Sequence, residues 1–163
     1  MKTTTRAQGG VIIIFTFIIS LSLTIVPLPG WGELLRPEWI AMVLIYWCMA
    51  LPNRVGVGYG WVIGLFLDVA RDALLGQHAL ALAVLAYVTL ATHQRIRNYP
   101  LGQQAIFIFL LMTSYYLVIM WIRGISSQAP AIWEVLLPAL MTALIWPFLF
   151  PAMRFIRRHY QVS

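Results

Sequence analysis

The residue types in this chain that are able to do chemistry are concentrated between positions 56 and 72. Gly56, Gly60, Gly64, Asp68 and Asp72 recur every fourth residue, so on an α-helix they lie along one slowly drifting face. Carboxylates are typical ligands of divalent metal ions. Glycines at this spacing let two membrane helices approach closely. The pattern therefore predicts either a metal site or a close helix contact, and we call its three glycines the glycine stripe.

The metal-site interpretation lacks its upstream half. The step from Gly64 through Asp68 to Asp72 matches the second half of the signature of CDP-alcohol phosphatidyltransferases, in which several carboxylates hold metal ions against a diphosphate. The first half of that signature carries two aspartates of its own. Positions 46–54 read YWCMALPNR and contain no carboxylate. We therefore expect no metal at this position.

Other enzyme classes also lack their residues. The three histidines form no HExxH motif and no pair four residues apart, as a zinc site on a helix requires. No Gly-x-Ser-x-Gly nucleophile motif is present, and the single cysteine, Cys48, excludes an intramolecular disulfide. The two aspartates share one predicted helix, whereas an intramembrane aspartyl protease places its pair on two. We expect no catalytic activity and no cofactor.

Asp68 remains a candidate for a structural or binding role. It follows Arg54 by 14 residues, which is about 21 Å along a helix, so we place it near the outer membrane interface. An ionisable side chain there needs a partner, and we predict an ion pair between an ionised Asp68 and Arg71. A structural cap, a partner contact and a substrate contact all remain open roles. Three further candidate partners are predicted on the same side: Arg36, His78 and Arg123.

Composition indicates that these residues lie in a membrane protein. Of the 163 residues, 61% are hydrophobic and only 10% are charged, whereas a soluble domain carries about 25% charged residues. The net charge of +6 would favour nucleic-acid binding in a soluble protein. Here the basic residues flank apolar runs, which is typical of membrane orientation. We predict an all-α, polytopic membrane helical bundle that binds lipid and no nucleic acid.

Six apolar runs predict about six transmembrane helices in a single domain. We place them at 9–26, 37–51, 55–70, 76–92, 104–122 and 131–151, with Gly76 in the turn after the third span. The uninterrupted parts of the second and fourth runs are only 13 and 14 residues long, which also fits a buried or re-entrant segment. Four spans with two partial insertions are therefore the alternative.

The distribution of basic residues predicts the orientation. Eight Lys and Arg residues lie on one predicted side and three on the other, and all five acids lie at or near the latter side. Because short cytoplasmic loops carry the excess of Lys and Arg, we expect both termini in the cytoplasm. The eight are Lys2, Arg6, Arg54, Arg95, Arg97, Arg154, Arg157 and Arg158; the three are Arg36, Arg71 and Arg123.

The order of several short motifs resembles the MreD family, the membrane component of the bacterial rod-shape system, and is most similar to its proteobacterial members. The similarity extends over nearly the whole chain. The matching elements are Arg36-Pro37 before Trp39, Leu51-Pro52-Asn53-Arg54, the Gly60-xxx-Gly64-xxx-Asp68 step, Leu75-Gly76, and the basic tail after Trp146-Pro147.

The resemblance implies a six-helix protein of the bacterial inner membrane, without catalytic activity, that works with MreC in the elongation complex for peptidoglycan synthesis. MreB, RodZ, RodA and a class B penicillin-binding protein are the other implied members. The family's helix arrangement is similar to the substrate-capture subunits of energy-coupling-factor transporters. Two hypotheses follow. Either the glycine stripe and outer loops receive a helix of MreC, or the bundle captures a lipid or small molecule in an outer pocket lined by Asp68, Trp31 and Trp39.

Overall fold

A computed structural model describes residues 3–125 and 131–162, without the side chains of residues 3–8 and 34. The described chain is helical throughout and has no strand. It forms the membrane helical bundle that the composition predicts. The helices are α1 (Thr3–Ile25), α2 (Trp31–Leu34), α3 (Trp39–Ala50), α4 (Val57–Ala70), α5 (Gln77–Asn98), α6 (Leu101–Ile125) and α7 (Ile132–His159).

Six of these helices overlap the six predicted segments, whose crossing of the membrane stays a prediction, and α2 is a single additional turn in the loop after α1. Within the described residues, α5, α6 and α7 are long and apolar enough to cross a membrane. Three shorter apolar helices accompany them: Gly9–Ile25, Trp39–Ala50 and Val57–Ala70. The fourth apolar run was expected to be short, but α5 continues past it to Asn98 and reaches 22 residues.

Helix α3 forms the centre of the bundle. Every residue from Ile40 to Met49 is buried, and α3 packs against α1, α5 and α7. A helix that is apolar on all faces is stable only when it is surrounded, which explains why this segment shows no polar face. Its few polar groups are satisfied locally, since the indole N–H of Trp47 donates to Thr16 Oγ1 on α1 at 2.9 Å.

The glycine stripe lies inside the protein, in the contact between α4 and α5. A Cβ built on Gly64 would overlap the Cα of Ala79, and one on Gly60 would lie 2.7 Å from the carbonyl oxygen of Leu82. Both neighbouring groups are backbone atoms of α5, so the two helices approach at backbone distance. The stripe is thus occupied by the chain's own α5, which leaves no room there for a foreign helix.

Candidate functional site: a charged network at one end of the bundle

Five polar side chains meet where α3 begins and α4 ends. We call this set the charged network: Glu38, Asp68, Arg71, His78 and Tyr116. It joins the residue before α3, the last turn of α4 with the residue that follows it, the first turn of α5, and α6. Helix α7 joins as well, because the hydroxyl of Thr142 accepts a hydrogen bond from the Glu38 backbone N–H at 3.0 Å.

Asp68 acts as a cap for the start of α5. Its side chain is fully buried, and its two oxygens accept three backbone N–H bonds, from Gly76 at 2.8 Å, His78 at 2.8 Å and Ala79 at 3.3 Å. These N–H groups belong to the first turn of α5 and would otherwise have no partner. The positive end of the helix dipole also favours the carboxylate. Gly76 adopts φ +99, a left-handed conformation that suits glycine.

The predicted ion pair between Asp68 and Arg71 requires correction. Asp68 instead contacts the His78 ring, with 2.8 Å between Oδ1 and Nδ1, while Arg71 turns to Glu38. The physical reason is that the backbone N–H groups at the start of α5 take up both oxygens of Asp68. His78 was among the three other candidate partners predicted on this side, and it is the one that the fold brings to Asp68.

Arg71 and Glu38 form a forked ion pair. Arg71 Nη1 lies 3.0 Å from Glu38 Oε1, and Nη2 lies 3.2 Å from Oε2. The hydroxyl of Tyr116 donates a further bond to Glu38 Oε1 at 3.1 Å. Burial disfavours the charged form of Arg71, but the adjacent Glu38 carboxylate outweighs this and raises the pKa of Arg71 above its ordinary value. Arg71 therefore stays charged.

His78 connects the two halves of the network. Its Nε2 lies 3.4 Å from Nη1 of Arg71, and Nδ1 faces the Asp68 carboxylate. A carboxylate only accepts hydrogen bonds and a guanidinium only donates them. These partners assign His78 as the neutral tautomer with its proton on Nδ1. The network thus alternates donors and acceptors from Glu38 through Arg71 and His78 to Asp68.

A cavity of about 880 Å³ opens above the network. Glu38, Arg71 and His78 contribute to its lining, together with Arg36 and Gln77. The expected lining residues Asp68, Trp31 and Trp39 are absent from it: Asp68 is sealed beneath His78, and Trp31 is 75% exposed on the surface. The cavity is lined instead by charged side chains that the sequence predicts on this side, including Arg36, Glu38 and Arg71.

Glu38, Tyr116 and Thr142 were missed as site residues. Glu38 lies 33 positions from Arg71, 78 from Tyr116 and 104 from Thr142, so no periodic pattern links them. One signal was available. Glu38 is one of only five acidic residues in the chain, and it directly precedes an apolar run, where an acidic side chain needs a cation.

Sequence comparison relates this chain to known proteins. The profile of the family "rod shape-determining protein MreD" matches residues 5–156. The rod shape-determining protein MreD of Haemophilus influenzae is 33% identical over 142 residues, which is 87% of this chain and 88% of that protein. No solved structure matches the chain. A family match over most of the chain, on an apolar helical bundle, is sufficient to conclude that this chain belongs to the MreD family of rod shape-determining membrane proteins.

Proposed function

We propose that this chain is a non-enzymatic scaffold of the bacterial inner membrane that binds MreC and helps to position peptidoglycan synthesis. MreB, RodZ, RodA and a class B penicillin-binding protein are the further members of the complex that it serves. The role of the family in cell shape supports this proposal. The short connections in the described chain also support it, such as residues 99–100 between α5 and α6. With loops this short, the described chain would contact a partner within the membrane or at its surface.

Unpaired donors at the cavity carry the proposal. Nε and Nη2 of Arg36 and Nε2 of Gln77 are buried and have no acceptor among the described residues, and both side chains line the cavity. A buried donor without a partner costs about 1–3 kcal/mol. A segment of MreC that enters the cavity with carbonyl or carboxylate oxygens would satisfy these donors. The docking surface thus moves from the glycine stripe, which α5 occupies, to the cavity.

The state of the network supports a role without catalysis. Both oxygens of Asp68 are engaged, and both ring nitrogens of His78 face partners, so this histidine has no free nitrogen to act as a base. Among the described residues, no group of three or more His, Cys, Asp or Glu side chains is placed to hold a metal ion.

Variants at Gln77 test the proposed contact with MreC. Gln77→Leu removes a buried unpaired donor, so the protein alone should unfold at the same temperature or higher, yet retain less MreC on co-purification. Arg36→Met should also lower retention. Gln103→Leu is the matched control, because Gln103 is exposed near the start of α6, and it should retain MreC fully. Unchanged retention in both cavity variants would refute the docking site.

Labelling of single cysteines tests the orientation. In a Cys48→Ala background, an impermeant maleimide added to whole cells should label Gly32→Cys and leave Asn98→Cys unlabelled until the cells are permeabilised. The reason is the eight-to-three excess of basic residues on the side of Asn98. Labelling of position 98 from outside the cell would show that the orientation is the reverse of the predicted one.

Capture of a small molecule is the second candidate function, and the volume of the cavity favours it. About 880 Å³ is within the range of pockets that hold small ligands. Purified protein that bound a small molecule tightly and ignored MreC would favour this function over the scaffold.

A further inference from the structure

A second pocket lies at the opposite end of the bundle, where α3 and α7 end and α5 turns into α6. Its volume is about 490 Å³. Four arginines line it, and we call it the basic pocket: Arg97, Arg154, Arg157 and Arg158. Tyr46, on α3, lines the pocket as well. The proposed function in the preceding subsection does not use this pocket.

These four arginines have no anionic partner in the described chain. Among the side chains described in residues 9–125 and 131–162, the ion pair of Arg71 with Glu38 and the contact of His78 with Asp68 both lie in the charged network. Glu38 precedes α3 and Ala50, at the other end of α3, lines the basic pocket, so the two sites are separated by the length of α3, about 18 Å. That exceeds the screening length of about 8 Å at physiological ionic strength. Four like charges around one pocket therefore favour the binding of an anion from outside.

The lining of the pocket indicates what carries the anion. Alongside the arginines it includes apolar side chains at the ends of membrane helices: Met49, Leu101 and Phe150. Leu101 is 40% exposed and lies at the start of α6. Tyr99 also lines the pocket, and tyrosine is typical of the membrane–water interface. Cationic and apolar groups therefore meet in this pocket, as the phosphate and the acyl chains do in a phospholipid.

We propose that the basic pocket binds the phosphate head group of an anionic phospholipid. Guanidinium groups match phosphate oxygens through paired hydrogen bonds, and basic pockets between membrane helices on the cytoplasmic side are suited to such head groups. The acyl chains then lie along the outer surface of α6 and α7 beside Leu101 and Phe150. This lipid fills the end of the bundle where the arginines converge and ties α3 to α7.

Native mass spectrometry of the delipidated protein, titrated with defined lipids, tests the proposal. Phosphatidylglycerol and cardiolipin should bind, and phosphatidylethanolamine should bind at least tenfold more weakly. Each arginine removed from the pocket should weaken binding about fivefold, so Arg97→Gln should lose about fivefold and Arg97→Gln/Arg154→Gln on the order of 25-fold. Arg97→Lys should keep only part of the affinity, because lysine retains the charge but cannot form the paired hydrogen bonds.

Arg95→Gln is the matched control. Arg95 lies on the same helix, two positions from Arg97, and is exposed but outside the pocket. The affinity of the Arg95→Gln protein for phosphatidylglycerol should therefore equal that of the unmodified protein. Equal losses for Arg95→Gln and Arg97→Gln would show a diffuse surface charge and overturn the pocket. Melting curves of the lipid-free variants separate loss of the site from loss of the fold, and Arg97→Gln alone suffices if the double variant does not fold.

Two further outcomes would also refute the lipid assignment. Displacement of the lipid by millimolar inorganic phosphate would show that the site takes a free anion. Unchanged lipid affinity in the double variant, combined with loss of a cytoplasmic member of the complex on co-purification, would assign the pocket to a protein partner instead.

Discussion

The two ends of the bundle differ in whether their charged side chains are paired within the chain. In the charged network, each cation and anion has a partner, and the side-chain exposure of Glu38 and Asp68 is 6% and 0%. In the basic pocket, four arginines gather without a carboxylate among the described residues. Buried paired charges hold helices in place, and removal of one partner is costly. Unpaired surface charges are free to act on external anions. The charged network therefore stabilises the fold, whereas the arginines of the basic pocket remain available to an external anion.

The largest effect on stability is expected from Gly64→Leu, which disrupts the contact between α4 and α5 beneath the charged network. The side chain would collide with the Ala79 backbone, so α4 and α5 must separate, at a cost of about 3 kcal/mol or more. We expect little monodisperse protein after detergent extraction. Gly58→Leu is the control on the same helix, because a Cβ on Gly58 meets nothing within 4 Å. Equal yields of the two variants would contradict the packing described.

Asp68→Asn should destabilise the protein by about 2–3 kcal/mol, since an amide group takes the place of one oxygen that accepts charge-assisted bonds. Asp68→Ala should be at least as damaging. Thermal unfolding in detergent measures both. Asp72→Asn provides the comparison, because Asp72 lies on the same helix end with φ +50, a conformation that asparagine tolerates. An Asp68→Asn protein that unfolds like Asp72→Asn would exclude the capping role.

A double-mutant cycle on Glu38 and Arg71 should give an effect of comparable size. Arg71→Met leaves the Glu38 carboxylate buried without its cation and should cost on the order of 2–4 kcal/mol. Glu38→Gln/Arg71→Met should recover part of this loss, because neither charge then remains buried alone. The free energies of unfolding of the four proteins give the coupling. Strictly additive effects would show that the forked pair does not stabilise the fold.

The smallest effect is expected at the other end, from Arg97→Gln. Without lipid, its free energy of unfolding should stay within about 0.5 kcal/mol of the unmodified protein, as for most surface substitutions. Chemical denaturation in lipid-free detergent provides the measurement. A decrease of more than about 1 kcal/mol in the free energy of unfolding would mean that the basic pocket also stabilises the fold. The two ends would then not differ in the way described.

The helices could be predicted from the sequence because apolar runs and their proline or glycine boundaries are local signals. The helix contact through Gly60 and Gly64 was one of two interpretations, since a bare helix face has the same pattern whether its neighbour is internal or foreign. Only the position of α5 decides between them. The short α2 was missed because a single turn has no periodicity.

The partners of Asp68 could not be predicted because the cap is non-local. In an ordinary N-cap the acceptor side chain immediately precedes its helix, whereas Asp68 reaches the start of α5 from the end of α4, across a turn that ends at Gly76. The neighbour in sequence, Arg71, was the natural choice of partner. The fold gives Arg71 to Glu38 and leaves Asp68 with the backbone of α5.

The complete enclosure of α3 has a consequence for biosynthesis. Its 12 residues extend over about 18 Å, well short of a hydrocarbon core about 30 Å thick, so lipid alone holds it poorly. Of the helices that surround it, α5 and α7 are made later. During synthesis, α3 must therefore stay in the membrane without α5 and α7 until the C-terminal third of the chain has emerged from the ribosome. If translation stalled after α4, membrane quality control would encounter α3 without the later helices that cover it. Helix α7 is the last of these to be made, so it completes the assembly.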